Sequence, residues 1–330
     1  MRFDRLTNWN IKSSARRDGA LALLAAFLLA GVLSGCASKN GATPEDASAQ
    51  ADGSAQAQQP PSRRRRVRLH TRSEQVDLPL PRGASMLVRA SGPVSVLEGD
   101  LETMLVRSQV SALTEERLGA TRVSVALDGA GRLVIEAEWP DGRKDGEVAS
   151  FEVRVPRGAR HLEVSTIGAV TLSGMHTDSV ITTQNGAVTV ADHHAGVHAS
   201  TTNAQMSFER VDGVIKAETT NAIVLVREAR GPVSVQTSRA AIDIRMATDA
   251  VGPVRATTEL GAIALRIGPA FAGTLTMRTS DAPIAVEMKS GAGEVLSRKI
   301  DETVIRFGDS STPSSLTTSG GTIELHVLAR

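Results

Sequence analysis

Apolar residues recur along the C-terminal two thirds of this chain in pairs two positions apart, and the pairs return about every 18 residues. The unit is Thr183 to Val190, Thr-Gln-Asn-Gly-Ala-Val-Thr-Val. Asn185-Gly186 predicts a sharp turn, because Gly and, less readily, Asn accept φ > 0. Ala187 to Val190 then alternates small or polar with apolar, the period of a half-buried strand. Anchored on Gly186, the phrase falls at Gly168, Gly186, Ala204, Ala222, Ala240, Gly261, Ala282 and Gly321, in steps of 18, 18, 18, 18, 21, 21 and 39. The last step leaves room for an extra coil or an enlarged loop within Glu287 to Ser315.

The columns carry the prediction. Two residues after each anchor stand Val170, Val188, Met206, Val224, Ile242, Ile263, Ile284 and Ile323; four after stand Leu172, Val190, Phe208, Val226, Ile244, Leu265, Val286 and Leu325. Both columns are apolar throughout and are expected to face inward, with the mostly small or polar residues between them facing out. A second strand shows in Ile181, Ala199, Ala217 and Val235, five residues before their anchors, and in Val197, Ile215 and Val233, seven before. Gly213, Gly231, Gly252 and Gly273 mark a second turn. The expected fold is all-β: a single-stranded β-solenoid, or flattened β-helix, of about 18–21 residues per coil. One coil buries too few side chains to offset its own ordering entropy, so several must fold together.

Upstream, strands are expected at Met86–Ala90, Val94–Leu97, Met104–Val110, Thr121–Leu127, Arg132–Glu138 and Ala149–Val155, with a helical turn or loop at Thr114 to Leu118. Leu80-Pro81-Arg82-Gly83-Ala84 echoes Val155-Pro156-Arg157-Gly158-Ala159, which makes this segment a divergent β-rich N-terminal cap with opening coils.

The N-terminus changes the setting. Arg16-Arg17 precedes the apolar run Ala20 to Leu33, a signal-peptide core too short for a comfortable membrane span. Leu33-Ser34-Gly35-Cys36 resembles the bacterial lipobox, which implies a lipidated Cys36; Ala37, rather than Asp, implies the outer membrane of a Gram-negative bacterium. The expected organisation is a signal peptide over 1–35, a lipid-anchored disordered linker over 36–66 ending in a basic run, the cap over 67–160 and regular repeats over 161–330. Arg63 to Arg66, with Arg68 and Arg72, reads as a solvated charge run or as a hold on anionic headgroups.

Composition narrows the chemistry. Net charge is +1, aromatic residues make up 2% and tyrosine is absent, so nothing points to nucleic acid. Cys36 is the only cysteine, which excludes an intrachain disulfide. No cofactor is expected.

Three sets of residues repeat with the coil. Asn185, Asn203 and Asn221, with Thr183, Thr201 and Thr219, form columns expected to act as structural ladders bonded between like neighbours, or alternatively as a polar strip for a glycan. His176, His194 and Asp212 would align as exposed turn residues, the alternative being a Zn²⁺ or Cu²⁺ site with His193 and His198 nearby. Asp192, Arg210 and Glu228 alternate in sign as a surface strip. No nucleophile elbow, zinc-protease motif or phosphate-cradling loop is present in the sequence. A carbohydrate-active enzyme stays as an alternative, with Glu209, Asp212, Glu218, Glu228 and Asp243 as its carboxylates, though their coil positions are mostly unrelated.

Val153-Arg154-Val155-Pro156-Arg157-Gly158, followed by Ser165-Thr166-Ile167-Gly168-Ala169-Val170 and the Thr-x-Asn phrases at 183–188, 201–204 and 219–222, resembles a bacterial family of envelope domains known as “putative adhesin” domains. The likeness covers roughly residues 80 to 330. It implies a β-solenoid head, carries no catalytic residues and departs here by placing Ala at four anchors. The reading is a non-enzymatic envelope lipoprotein, held to the membrane through Cys36, that binds an envelope polysaccharide or protein or serves as a scaffold. A second alternative is an envelope-stress or assembly accessory that binds another protein by its open edge or terminal coil.

Overall fold

The computed structural model of the chain describes residues 68–81 and 83–328. The signal segment, Cys36, the linker and Arg63 to Arg66 lie outside the described residues.

The first strands are β1 (His70–Leu78), β2 (Ser85–Arg89), β3 (Val94–Gly99) and β4 (Met104–Ala112), followed by α1 (Glu115–Ala120), β5 (Arg122–Leu127), β6 (Leu133–Glu138) and β7 (Val148–Pro156). Strands then come in pairs: β8 (His161–Thr166) and β9 (Val170–Ser173), β10 (Asp178–Thr183) and β11 (Val188–His193), β12 (Val197–Ser200) and β13 (Met206–Val211), β14 (Ile215–Glu218) and β15 (Val224–Ala229). The series continues with β16 (Val233–Gln236) and β17 (Ile242–Met246), β18 (Val254–Thr257) and β19 (Ile263–Ile267), β20 (Gly273–Arg278) and β21 (Ile284–Glu287). A hairpin, β22 (Glu294–Arg298) and β23 (Glu302–Phe307), precedes the last pair, β24 (Pro313–Thr317) and β25 (Ile323–Val327).

The fold is all-β, two large sheets with many parallel strands. One has 12 strands in the order β1-β4-β7-β3-β9-β11-β13-β15-β17-β19-β25-β21; the other has 13, in the order β22-β23-β20-β24-β18-β16-β14-β12-β10-β8-β2-β6-β5. From β8 to β21 each successive strand lies in the opposite sheet, and from β8 to β19 strands one repeat apart pair in parallel. Neither sheet closes on itself: β1 and β21 edge one, β22 and β5 the other.

The apolar columns stack in register. Val170, Val188, Met206, Val224, Ile242, Ile263, Ile323 and Ile284 are successive partners across the 12-stranded sheet. All are buried except Ile284, half-buried on the edge strand. The facing column of the other sheet runs Val164, Ile181, Ala199, Ala217, Val235, Ala256, Leu316 and Met277. Together they belong to one contiguous hydrophobic cluster that extends from Met86 to Leu325.

Spatial order departs from chain order at both ends. Strands β24 and β25 lie between the β18–β19 and β20–β21 layers, so Gly321 stacks on Gly261 rather than on Ala282. At the other end β2 and β3 lie between the β6–β7 and β8–β9 layers. The long step before Gly321 thus contains an antiparallel hairpin and a return into the stack.

Two local expectations are corrected. Neither Asn185 nor Gly186 has positive φ. Gly186 is required for close approach instead: a Cβ there would stand 1.8 Å from the Gly168 carbonyl oxygen. Positive φ appears at the other corner, at Asp192, Arg210 and Glu228 (52°, 53° and 54°), which lie outside the regular ladder. Arg72 does not belong to a free basic run. It sits in β1, a strand with few apolar residues to announce it, and its guanidinium donates to the carbonyls of Leu118 and Thr121 at 3.0 and 2.6 Å.

The N-terminal layers are braced by a buried ion pair. Arg117 of α1 donates Nε and Nη2 to the two carboxylate oxygens of Glu147, at 2.6 and 2.8 Å, and Glu147 is fully buried. This bidentate contact, the first of several, lowers the Glu147 carboxyl to about 2.

Candidate functional site

Parallel register converts sequence columns into rows of side chains about 4.8 Å apart, so any site on this fold is linear before it is concave. Asn203 Nδ2 donates to Asn185 Oδ1 at 2.9 Å and Asn221 Nδ2 donates to Asn203 Oδ1 at 2.9 Å, an amide row on the exposed turns.

The threonines do not bond to one another. Thr183 Oγ1 donates to the Gly168 carbonyl at 2.9 Å and accepts from the Gly186 amide at 3.3 Å, clipping its own turn to the one beneath. Thr258 and Thr318 repeat this arrangement at Gly261 and Gly321, and Thr166, not Ser165, fills the position in the first regular layer. Thr201, Thr219 and Thr237 precede Ala anchors, and their hydroxyls donate instead to Gln184, Thr202 and Thr220 carbonyls at 3.3–3.5 Å. Thr279, before Ala282, keeps the first arrangement, donating to the Gly321 carbonyl at 3.4 Å and accepting from the Ala282 amide at 3.3 Å.

The histidine column makes a charged file along one corner. His194 Nδ1 lies 2.6 Å from Asp212 Oδ2, and Arg230 Nη1 donates to Asp212 Oδ1 at 2.9 Å. Arg230, then His194, hold the Asp212 carboxyl below its usual range. The rings of His176 and His194 are 4.5 Å apart and tilted by 32°. His176 Nδ1 faces the Gly174 carbonyl at 3.2 Å, while its backbone N–H donates to Glu98 Oε2 at 2.5 Å. Glu98 comes from β3, is buried, and carries no sequence signal because β3 lies upstream of the regular repeat. His176, His194 and Asp212 do not converge on a point, and among the described residues no three His, Cys, Asp or Glu side chains form a metal-binding group.

His193 and His198 lie elsewhere. His193 is fully buried; its Nε2 is 3.1 Å from Ser179 Oγ, and Ser179 donates to the Thr177 carbonyl at 2.9 Å. Burial pushes the His193 imidazole below its ordinary value. Ser179 is the polar break in the column that otherwise holds Leu162, Val197, Ile215 and Val233, and that break was the sequence signal for His193. His198 stands on the outer face of the 13-stranded sheet beside Lys216.

Arg210 grips Asp192 through Nε and Nη2 at 2.6 and 3.2 Å, which lowers the Asp192 carboxyl; Glu228 makes no ion pair among the described residues. Glu209 and Asp243 lie on the outer face of the 12-stranded sheet, Glu218 on the other sheet, and Asp212 and Glu228 at a corner. These carboxylates do not gather into one cleft. A shallow depression of about 200 Å³ does occur on the 12-stranded sheet, lined by Asp243, Arg245, Ala264, Leu265, Arg266, Glu324 and His326.

No known family profile matches the chain, and no curated protein matches it. Similar solved structures include a “putative cell adhesion protein” from Clostridium sporogenes, 8% identical over 79% of this chain and 100% of that one, with a TM-score of 0.26. Others are a “putative adhesin” from Bacteroides fragilis (10% identity, 77% and 97% coverage, TM-score 0.41) and a “putative lipid binding protein” from Parabacteroides distasonis (11%, 78% and 97%, TM-score 0.32).

Proposed function

We propose that the chain is a non-enzymatic scaffold of the bacterial envelope: a β-solenoid with a β-rich cap, held to the outer membrane through lipidated Cys36 and presenting its sheet faces to a partner. The observation that carries the reading is the parallel register of inward apolar columns from Val170 to Ile284 in one sheet and from Val164 to Met277 in the other. A core of this form builds a stiff stack whose outer residues are free to vary coil by coil, which suits extended recognition better than enclosure of a small substrate. The dispersed carboxylates and shallow relief support binding over glycoside cleavage. In this reading the Asn column is a structural ladder, and the Thr hydroxyls fix the turns by bonding to backbone carbonyls of the neighbouring layer.

Fractionation of cells expressing wild type and Cys36→Ser, with metabolic fatty-acid labelling, tests the anchor. Wild type is expected in the membrane fraction carrying label and Cys36→Ser in the soluble fraction without it. Membrane association and labelling that survive the substitution contradict the lipoprotein reading.

A further inference from the structure

The outer face of the 12-stranded sheet carries a feature that the stability of the fold does not explain. Arg227, Arg245, Arg266 and His326 are direct partners on β15, β17, β19 and β25. Like charges placed directly opposite on neighbouring strands repel. Elsewhere on this sheet the rows are neutral, as in Thr171, Thr189, Ser207 and Leu225, or alternate in sign, as where Arg107 faces Glu152. Here three arginines follow one another with no acid between them. The row is bounded by acids: Glu209 stands opposite Arg227 at one end, and Glu287 stands opposite His326 at the other and takes its Nδ1 at 2.7 Å. Arg227 and Arg266 make no ion pair and no side-chain hydrogen bond among the described residues. Arg245 reaches Asp243 on its own strand with a single long contact of 3.4 Å.

Two residues along the strands runs a second row, Leu225, Asp243, Ala264 and Glu324. Ala264 is the small member, and it makes the floor of the depression between Asp243 and Glu324, with Arg245 and Arg266 on the flank. The face therefore offers guanidinium donors along one line and carboxylate acceptors along a parallel line about 7 Å away. A ligand that fits both lines is an extended chain with anionic groups on one edge and hydroxyl donors on the other.

We propose that this strip binds a linear acidic polysaccharide, its carboxylates bridged by Arg227, Arg245 and Arg266 and its hydroxyls donating to Asp243 and Glu324. The proposal deepens the scaffold reading by naming the ligand class and the face, and rests on it. Guanidinium forks suit carboxylates because they donate two parallel hydrogen bonds. The row, spaced at the strand repeat, favours a chain over a single small anion.

The test is a titration of the folded protein with oligogalacturonate, with dextran, inorganic phosphate and anionic phospholipid vesicles as separate arms. Oligogalacturonate is expected to bind, more weakly as salt rises, and dextran is not. The double variant Arg227→Gln/Arg266→Gln should lose at least ~10-fold in affinity, the scale of a lost charge-assisted hydrogen bond. Its unliganded Tm should equal or exceed wild type, because a repulsive row has been relieved. Arg255→Gln on the opposite sheet serves as the charge control and should stay within about twofold, as a screened remote charge would. Equal loss in the control, preference for phosphate or vesicles, or no binding of oligogalacturonate overturns the proposal. Membrane anchoring through Cys36 is measured separately, so failure here leaves that test untouched.

Discussion

A methyl group at position 186 would meet the Gly168 carbonyl oxygen beneath it at 1.8 Å, and that oxygen already accepts from Thr183 Oγ1 at 2.9 Å. Gly186→Ala is therefore expected to cost about 3 kcal/mol or more, at the upper end of overpacking effects. Ala204→Gly, in the same column, should cost about 1 kcal/mol or less, since its turn already makes room. Urea melts of the two variants check the pair; equal effects would contradict the close-approach argument. Two buried titrating groups give a second prediction. The Glu147 carboxyl is lowered from 4.5 to about 2, so its contribution is present above pH 4.5 and lost as pH falls toward 2. His193 is lowered below 6.5 by burial, so its neutral form stabilises the fold above pH 6.5 and this is lost as pH falls below that value. Urea midpoints across pH should fall in two arms, with Glu147→Gln flattening the lower and His193→Asn the upper. The turn phrases, the inward columns and the Asn row were legible at this scale because each recurs with the coil. The reason for glycine was not, since close approach and positive φ leave the same residue in the sequence.

Among the elements, β24 and β25 have the least obvious placement. Their apolar residues, Leu316, Ile323 and Leu325, match the columns as well as those of any coil, so pattern alone could not say between which neighbours they lie. What decides is that each has a partner on both sides, leaving β21 and the β22–β23 hairpin to form the sheet ends. A chain ending after Asp309 should lose hydrogen-exchange protection in β20 to β23 while β10 to β17 keep theirs, and a peptide spanning 311–330 added in trans should restore it. Unchanged protection at β20 to β23 would contradict the intercalated order. β1 was missed for a related reason. Its alternation is carried by polar residues, and it is held by full antiparallel register with β4 and by Arg72 rather than by an apolar face.

At the scale of the molecule, local repeats sum to two sheets sharing one hydrophobic cluster. Repeat length sets which residues pair across neighbouring strands, and this made the all-β architecture readable from spacing. The function was less readable, because outer residues are under no packing constraint and the arginine row appears only once the registers of β15, β17, β19 and β25 are known. The central claim is that strands stack in the stated order at a constant rise. Spin labels at Thr171 and Ala285, on β9 and β21, measure it by pulsed electron resonance. Seven strand steps separate the two positions in the sheet order, which gives about 34 Å between backbones, whereas stacking in chain order gives about 29 Å. With reference pairs Thr171–Ser207 and Thr171–Ala264 calibrating the rise, the account predicts the longer distance as a single narrow population. A distance on the six-step line, or a broad distribution unrelated to strand count, would contradict it.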